Sequence, residues 1–142
     1  MGSEYTVIKA ILVLEVRSAA GGAAALRADL GYDSREPYAV GLTLHTGRGP
    51  VEWLTARDLL IDGLREPSGL GDVRVGPAAD PAVTVVELWS PSGFVALEAD
   101  TAEIVDFLYR TCQVLPRGQE GRAFDFDREL AELTRSGRPA PE

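Results

Sequence analysis

The sequence is poor in the groups from which most catalytic and metal sites are built. It holds one cysteine, Cys112, and one histidine, His45. A single cysteine forms no intrachain disulfide and no thiolate zinc cluster, and one His with one Cys supplies too few nitrogen and sulfur ligands for a transition-metal site. An unpaired cysteine fits a reducing, cytosolic compartment. Lysine occurs once, at Lys9, so there is no Gly-Lys-Ser or Gly-Lys-Thr phosphate loop. The longest apolar run, Ile8 to Val16, is interrupted by Lys9 and Glu15. It is too short to cross a bilayer, which takes roughly 20 apolar residues, and it has neither the basic start nor the cleavage site of a signal peptide. Cations are also scarce, with 14 Lys and Arg against 22 Asp and Glu, a formal charge of −8. Phosphate backbones and anionic lipid surfaces attract basic chains, so nucleic acid and membrane insertion are both disfavoured. A soluble, cytoplasmic chain without cofactors is the expectation.

What is present suits a folded, strand-rich domain. The 142 residues are 45% apolar and 25% charged, and 15 Gly with 9 Pro provide many turns. Seven segments alternate with the two-residue period of a strand: Tyr5 to Arg17, Ala25 to Tyr32, Tyr38 to Thr46, Val51 to Thr55, Asp72 to Val75, Ala82 to Ser90, and Gly93 to Ala99. Ser18 to Ala24 reads as a small-residue turn, and Tyr38, Val40, Leu42 and Leu44 as an inward face. In the first strand the second face also carries apolar residues at its middle, Ile11 and Val13. A strand apolar on both faces is sandwiched or pressed against another subunit, which makes these two residues candidates for a homo-oligomer contact.

Helical spacing appears three times. Leu59, Leu60 and Leu64 suggest a short helix within Ala56 to Leu64. Asp100-Thr101-Ala102-Glu103 has capping-box spacing and opens a helix with a stripe of Ile104, Leu108, Cys112 and Leu115, widened by Val105 and Thr111. A last helix from about Asp125 carries Phe126, Leu130 and Leu133, and residues 136–142 form a tail without apolar anchors. The expected fold is α+β: a mostly antiparallel sheet of about seven strands with one short and two C-terminal helices, in a single domain over residues 1–135.

No arrangement of catalytic groups emerges. His45 has no Gly-x-Ser-x-Gly elbow to serve and is expected to bond a nearby turn. Cys112 on a helix stripe behaves as a small hydrophobe. Gly69-Leu70-Gly71 lacks a third glycine, since Arg74 stands there, and reads as turn glycines. Asp125 and Asp127 suit a helix start. Trp53 shares a face with Val51 and is expected in the core, whereas Trp89 is a candidate for a protein interface. Leu70 in its loop and Tyr109 on the outer side of its helix are the other interaction candidates.

Several segments, taken in order, resemble the SsgA-like family of sporulation and cell-division proteins. They are Tyr32-Asp33 with Glu36-Pro37-Tyr38-Ala39-Val40; His45-Thr46; Val51-Glu52-Trp53; Ala56-Arg57-Asp58-Leu59-Leu60; and Gly71-Asp72-Val73-Arg74. Ser90-Pro91-x-Gly93, Leu97-Glu98-Ala99, Phe107-Leu108-x-Arg110-Thr111 and Phe124-Asp125-x-Asp127-x-Glu129-Leu130 extend the likeness across residues 5 to 133. Gly76 departs from it, standing where the family pattern has Trp, as do Asp100 and Leu115 to Gln119. The chain is most similar to the SsgB branch. The resemblance implies a non-enzymatic adaptor that positions the tubulin-like protein FtsZ at division septa with an SsgA-type partner. It further implies a Whirly-like fold and assembly as a trimer. That fold makes single-stranded nucleic-acid binding the alternative, which the −8 charge disfavours.

Overall fold

In a computed structural model describing residues 4–17 and 22–121, seven strands form one sheet. They are β1 (Val7–Arg17), β2 (Ala23–Asp33), β3 (Ala39–Thr46), β4 (Gly49–Ala56), β5 (Val73–Pro77), β6 (Val83–Ser90) and β7 (Gly93–Asp100). Two helices interrupt and follow them, α1 (Arg57–Gly63) and α2 (Thr101–Val114). The strand order is β4-β3-β2-β1-β7-β6-β5, and every pairing is antiparallel. This is the α+β class that the alternating pattern predicts. The expected helix from Asp125, with its Asp125 and Asp127, and the tail at 136–142 lie outside the described residues, as do residues 18–21.

The long first strand is central. It pairs with β2 along its full length, from Val7 opposite Asp33 to Arg17 opposite Ala23. With β7 it pairs only at Glu15, Val16 and Arg17. Helix α2 packs against β1 and β7 where they diverge, and the Arg110 guanidinium donates to the Lys9 carbonyl at 3.4 Å.

Period-two alternation sorts the sheet into two faces. The inner face supplies Leu12, Leu14, Ala28, Leu30, Tyr32, Val40, Leu42, Leu44, Val86, Leu88 and Leu97, all buried. Each large aliphatic or aromatic group so buried contributes about 1.5–3 kcal/mol. Trp53 is half-buried against this core, as expected. Helix α1 reaches the sheet through Gly63, where an added Cβ would lie 2.5 Å from Val75 Cγ1. Asp100 caps α2 by accepting the Ala102 N–H at 3.0 Å.

Three expectations need correction. Tyr38 is 56% exposed, because β3 begins at Ala39 and Tyr38 belongs to the preceding turn. Val105 is exposed, whereas Phe107 is fully buried beside Ile104, Leu108 and Thr111. At about 100° per residue Phe107 lies nearer Ile104's side of the helix than Val105 does. Cys112, at the margin of that stripe, is half-buried. Ala23 and Ala24, expected in a turn, belong to β2.

Candidate interaction surfaces

With both helices on the inner face, the outer face of the sheet is left uncovered by either helix. On β1 the outward row contains Val7, Ile11 and Val13, exposed at 44%, 64% and 65%. Ile11 faces Asp29 across the β1–β2 ladder, and Val13 faces Arg27. The two oligomer candidates therefore sit side by side on the most central strand, bordered by charge. Beside them Gly31 and Gly41 pair across β2 and β3 and leave a trough of about 360 Å³. Val7, Lys9, Asp29, Glu36, Glu52 and Leu54 line it.

His45 belongs to this face. Its Nε2 lies 2.9 Å from Asp29 Oδ2, so the expected bond to a turn is replaced by one to the neighbouring strand. That hydrogen bond is the main cause that holds the Asp29 carboxyl below its ordinary pKa; partial burial opposes it, and Arg27 adds to it. Asp33 is likewise lowered, chiefly by hydrogen bonds from the Arg35 side chain and also by the Arg35 N–H. Among the described residues, no group of three or more His, Cys, Asp or Glu is placed to hold a metal ion.

The interface candidates Trp89 and Leu70 lie on the β5–β7 half of the same face. Trp89 is half-buried and stacks on Phe94, its partner across the hairpin, at 4.4 Å between centroids and 15° between planes. The Arg74 guanidinium lies 4.6 Å from the indole centroid, and the indole N–H donates to Glu87 Oε1 at 3.2 Å. Leu70 is 98% exposed. It borders a concavity of about 550 Å³ shared with Arg74, Gly76, Val85 and Glu87. Tyr109 is elsewhere: it is 63% exposed on α2, beyond the inner face of the sheet. Arg74 links the two halves of this surface, lying over Trp89 and lining the concavity that Leu70 borders, while Ile11 and Val13 share one row. The structure separates Tyr109 from both.

Sequence reasoning missed Phe94 and Arg74. Phe94 was accessible, because the two-residue turn at Pro91-Ser92 sets it opposite Trp89; Arg74 was not, since its place beside Trp89 depends on the β5–β6 register. It also missed a buried cluster at the edge of the core. Arg57, fully buried at the start of α1, donates to Glu120 Oε2 at 2.7 Å and to Thr111 Oγ1 at 3.4 Å. Its guanidinium lies 5.1 Å from the Tyr32 ring centroid, and Tyr32 donates its hydroxyl to the Pro37 carbonyl. Burial raises the Tyr32 pKa. Burial also pushes Glu120 upward, but the Arg57 hydrogen bond and backbone N–H groups outweigh it, and the net shift is down.

Comparison with known proteins gives the family of the chain. Residues 26–120 match the sequence pattern of the family described as Streptomyces sporulation and cell division protein, SsgA. The sporulation-specific cell division protein SsgB of Saccharopolyspora erythraea is 42% identical over 94% of this chain and 96% of its own length. SsgB of Streptomyces coelicolor is 47% identical over 75% of this chain and 80% of its own. Among solved structures, one from work correlating mutations in SsgB with longitudinal cell division during sporulation of Streptomyces coelicolor superposes with a TM-score of 0.80. It is 41% identical and covers 85% of this chain and 98% of its own. The SsgA-like sporulation-specific cell division protein of Thermobifida fusca gives 0.83, at 36% identity over 93% and 98%. The chain belongs to the SsgA family of sporulation and cell-division proteins, with SsgB proteins among its relatives.

Proposed function

We propose that this protein is a non-enzymatic adaptor of sporulation-specific cell division that helps position FtsZ at septum sites, together with an SsgA-type protein. Membership of the SsgA family, with the Saccharopolyspora erythraea SsgB matched over 96% of its length, is the observation that carries this reading. The exposed chemistry is consistent with it. Aromatic and aliphatic side chains stand on a sheet face that neither α1 nor α2 covers, and the lone histidine is engaged with Asp29. The protein acts as one domain over residues 1–135, cytoplasmic and gathered at septa.

Self-association is part of the proposal. Ile11 and Val13 on the outer face of β1 form its contact, and a trimer is the assembly the family resemblance implies. The nucleic-acid alternative finds no support: carboxylates such as Asp29, Glu52 and Glu98 share the outer face, where phosphates would be repelled. Co-pelleting of the purified protein with assembled FtsZ, with and without an SsgA-type protein, tests the adaptor role. Recovery in the FtsZ pellet is expected; recovery only in the supernatant under both conditions contradicts it.

A further inference from the structure

Strands β5 to β7 carry a ladder of three flat groups on their outer face: Phe94 from β7, Trp89 from β6 and the Arg74 guanidinium from β5. Each is held. The Trp89 indole N–H is fixed by Glu87, and Arg74 Nε–H donates to the Gly71 carbonyl at 3.3 Å. Side chains already fixed lose little freedom on binding, so such a ladder is prepared for a partner. Phe94 nevertheless remains 55% exposed, and Leu70 is nearly free of protein contact. Exposed apolar groups clustered at a concavity mark binding surfaces.

We propose that this ladder, with Leu70 and the concavity beside it, docks a segment of a partner protein that presents carboxylates next to aromatic or proline side chains. The ring stacks on the open face of Phe94 or seats between Leu70 and Val85, and the carboxylate takes the Arg74 guanidinium. Charge complementarity selects this occupant. Among the described residues Arg74 has no carboxylate within ion-pair distance, although the chain carries 22 acidic residues. A guanidinium stacked on an indole keeps its terminal N–H groups for a planar, two-pronged acceptor. Gly76 lines the concavity. Pro67 Cα lies 3.1 Å from where a Cβ would stand there, and Ser68 pairs with Val75, so the segment from Pro67 runs close along β5 beside the concavity. A nucleic acid could also use rings and a cation, but holding its backbone takes several cations, whereas the ladder offers the single guanidinium of Arg74, enough for one carboxylate.

This inference rests on the reading of the protein as one that binds other proteins, and its test is separable from that of the FtsZ role. The full chain, labelled with nitrogen-15, is titrated with three probes. These are a short peptide alternating Asp with Phe and Pro, the same peptide with Arg for Asp, and an oligothymidylate. Expected are saturable shifts of the Trp89 indole N–H, the Arg74 Nε–H and the Leu70 and Phe94 amides with the acidic peptide alone. Arg74→Glu, an exposed change, should weaken that peptide by on the order of tenfold and gain the Arg peptide. Phe94→Ser should weaken it while leaving the sedimentation behaviour of the protein unchanged.

Absence of saturable shifts at millimolar acidic peptide overturns the proposal, as does equal response to the Arg peptide or stronger response to the oligothymidylate. Loss of oligomers in Phe94→Ser also overturns it, since the surface would then be a contact between copies. A protein that shows the expected shifts yet leaves FtsZ unaffected refutes the division role and keeps this surface. The converse result refutes the surface alone.

Discussion

Arg57 and Glu120 are 63 residues apart in the chain and 2.7 Å apart in the core, with their side chains 0% and 4% exposed. The pair joins the start of α1 to the segment after α2, and Thr111 and Tyr32 close it in. Removing one partner leaves an uncompensated buried charge, which costs about 3–5 kcal/mol. Glu120→Ala should lower the urea midpoint accordingly, and Arg57→Met should do the same. Combining Arg57→Met with Glu120→Leu should cost clearly less than the sum of the single changes, because no charge is then stranded. Strict additivity in denaturant melts would contradict this account of the pair.

The same pair predicts a pH dependence. Glu120 has a folded pKa below its ordinary value of 4.5. The unfolded chain therefore takes up the proton first on acidification. The stabilisation is fully present above the ordinary value and is lost as pH falls through the folded one. Asp29 and Asp33 act in the same direction. Denaturant midpoints measured downward from neutral pH should fall in this window, and Glu120→Gln should flatten the fall. An unchanged slope in that variant would assign the acid sensitivity elsewhere.

Gly63 should tolerate no side chain. An added Cβ meets Val75 Cγ1 at 2.5 Å and the Val75 carbonyl at 2.9 Å, so α1 would have to lift from β5. Overpacking of this kind costs about 1–3 kcal/mol. Gly63→Ala should lower the melting temperature, whereas Gly47→Ala, with open space around it, should have little effect. Equal melting of the two variants would show that α1 is not pinned at this contact.

Ile11→Thr with Val13→Thr keeps β-branched side chains on the strand and removes apolar surface from its outer row. Sedimentation should show a smaller species than the unaltered protein, with thermal stability of the single chain within about 0.5 kcal/mol. An unaltered sedimentation coefficient would place the self-association contact away from β1.

The strand pattern was open to sequence reading because alternation is a local signal. Leu30 and Tyr32, or Val40 and Leu42, declare their face within a few residues. Tyr38 misled because its face depends on where the turn ends, and one residue decides that. Val105 misled in a related way: apolar type alone does not locate a helix stripe, and Phe107 filled it instead. The Arg57–Glu120 pair was not readable at all, since nothing near either residue indicates a partner 63 positions away. The candidate surfaces fall between these cases. Trp89 and Leu70 were recognisable as awkward apolar residues, but their meeting at Arg74 required the β5–β6 register.

The most direct test of the adaptor account is light scattering from purified FtsZ assembling with GTP, followed as this protein is added with and without an SsgA-type protein. The account predicts a dose-dependent change in the rate or extent of assembly, saturating with the amount of protein added. Identical assembly curves under every condition, with no binding in parallel, would contradict direct action on FtsZ.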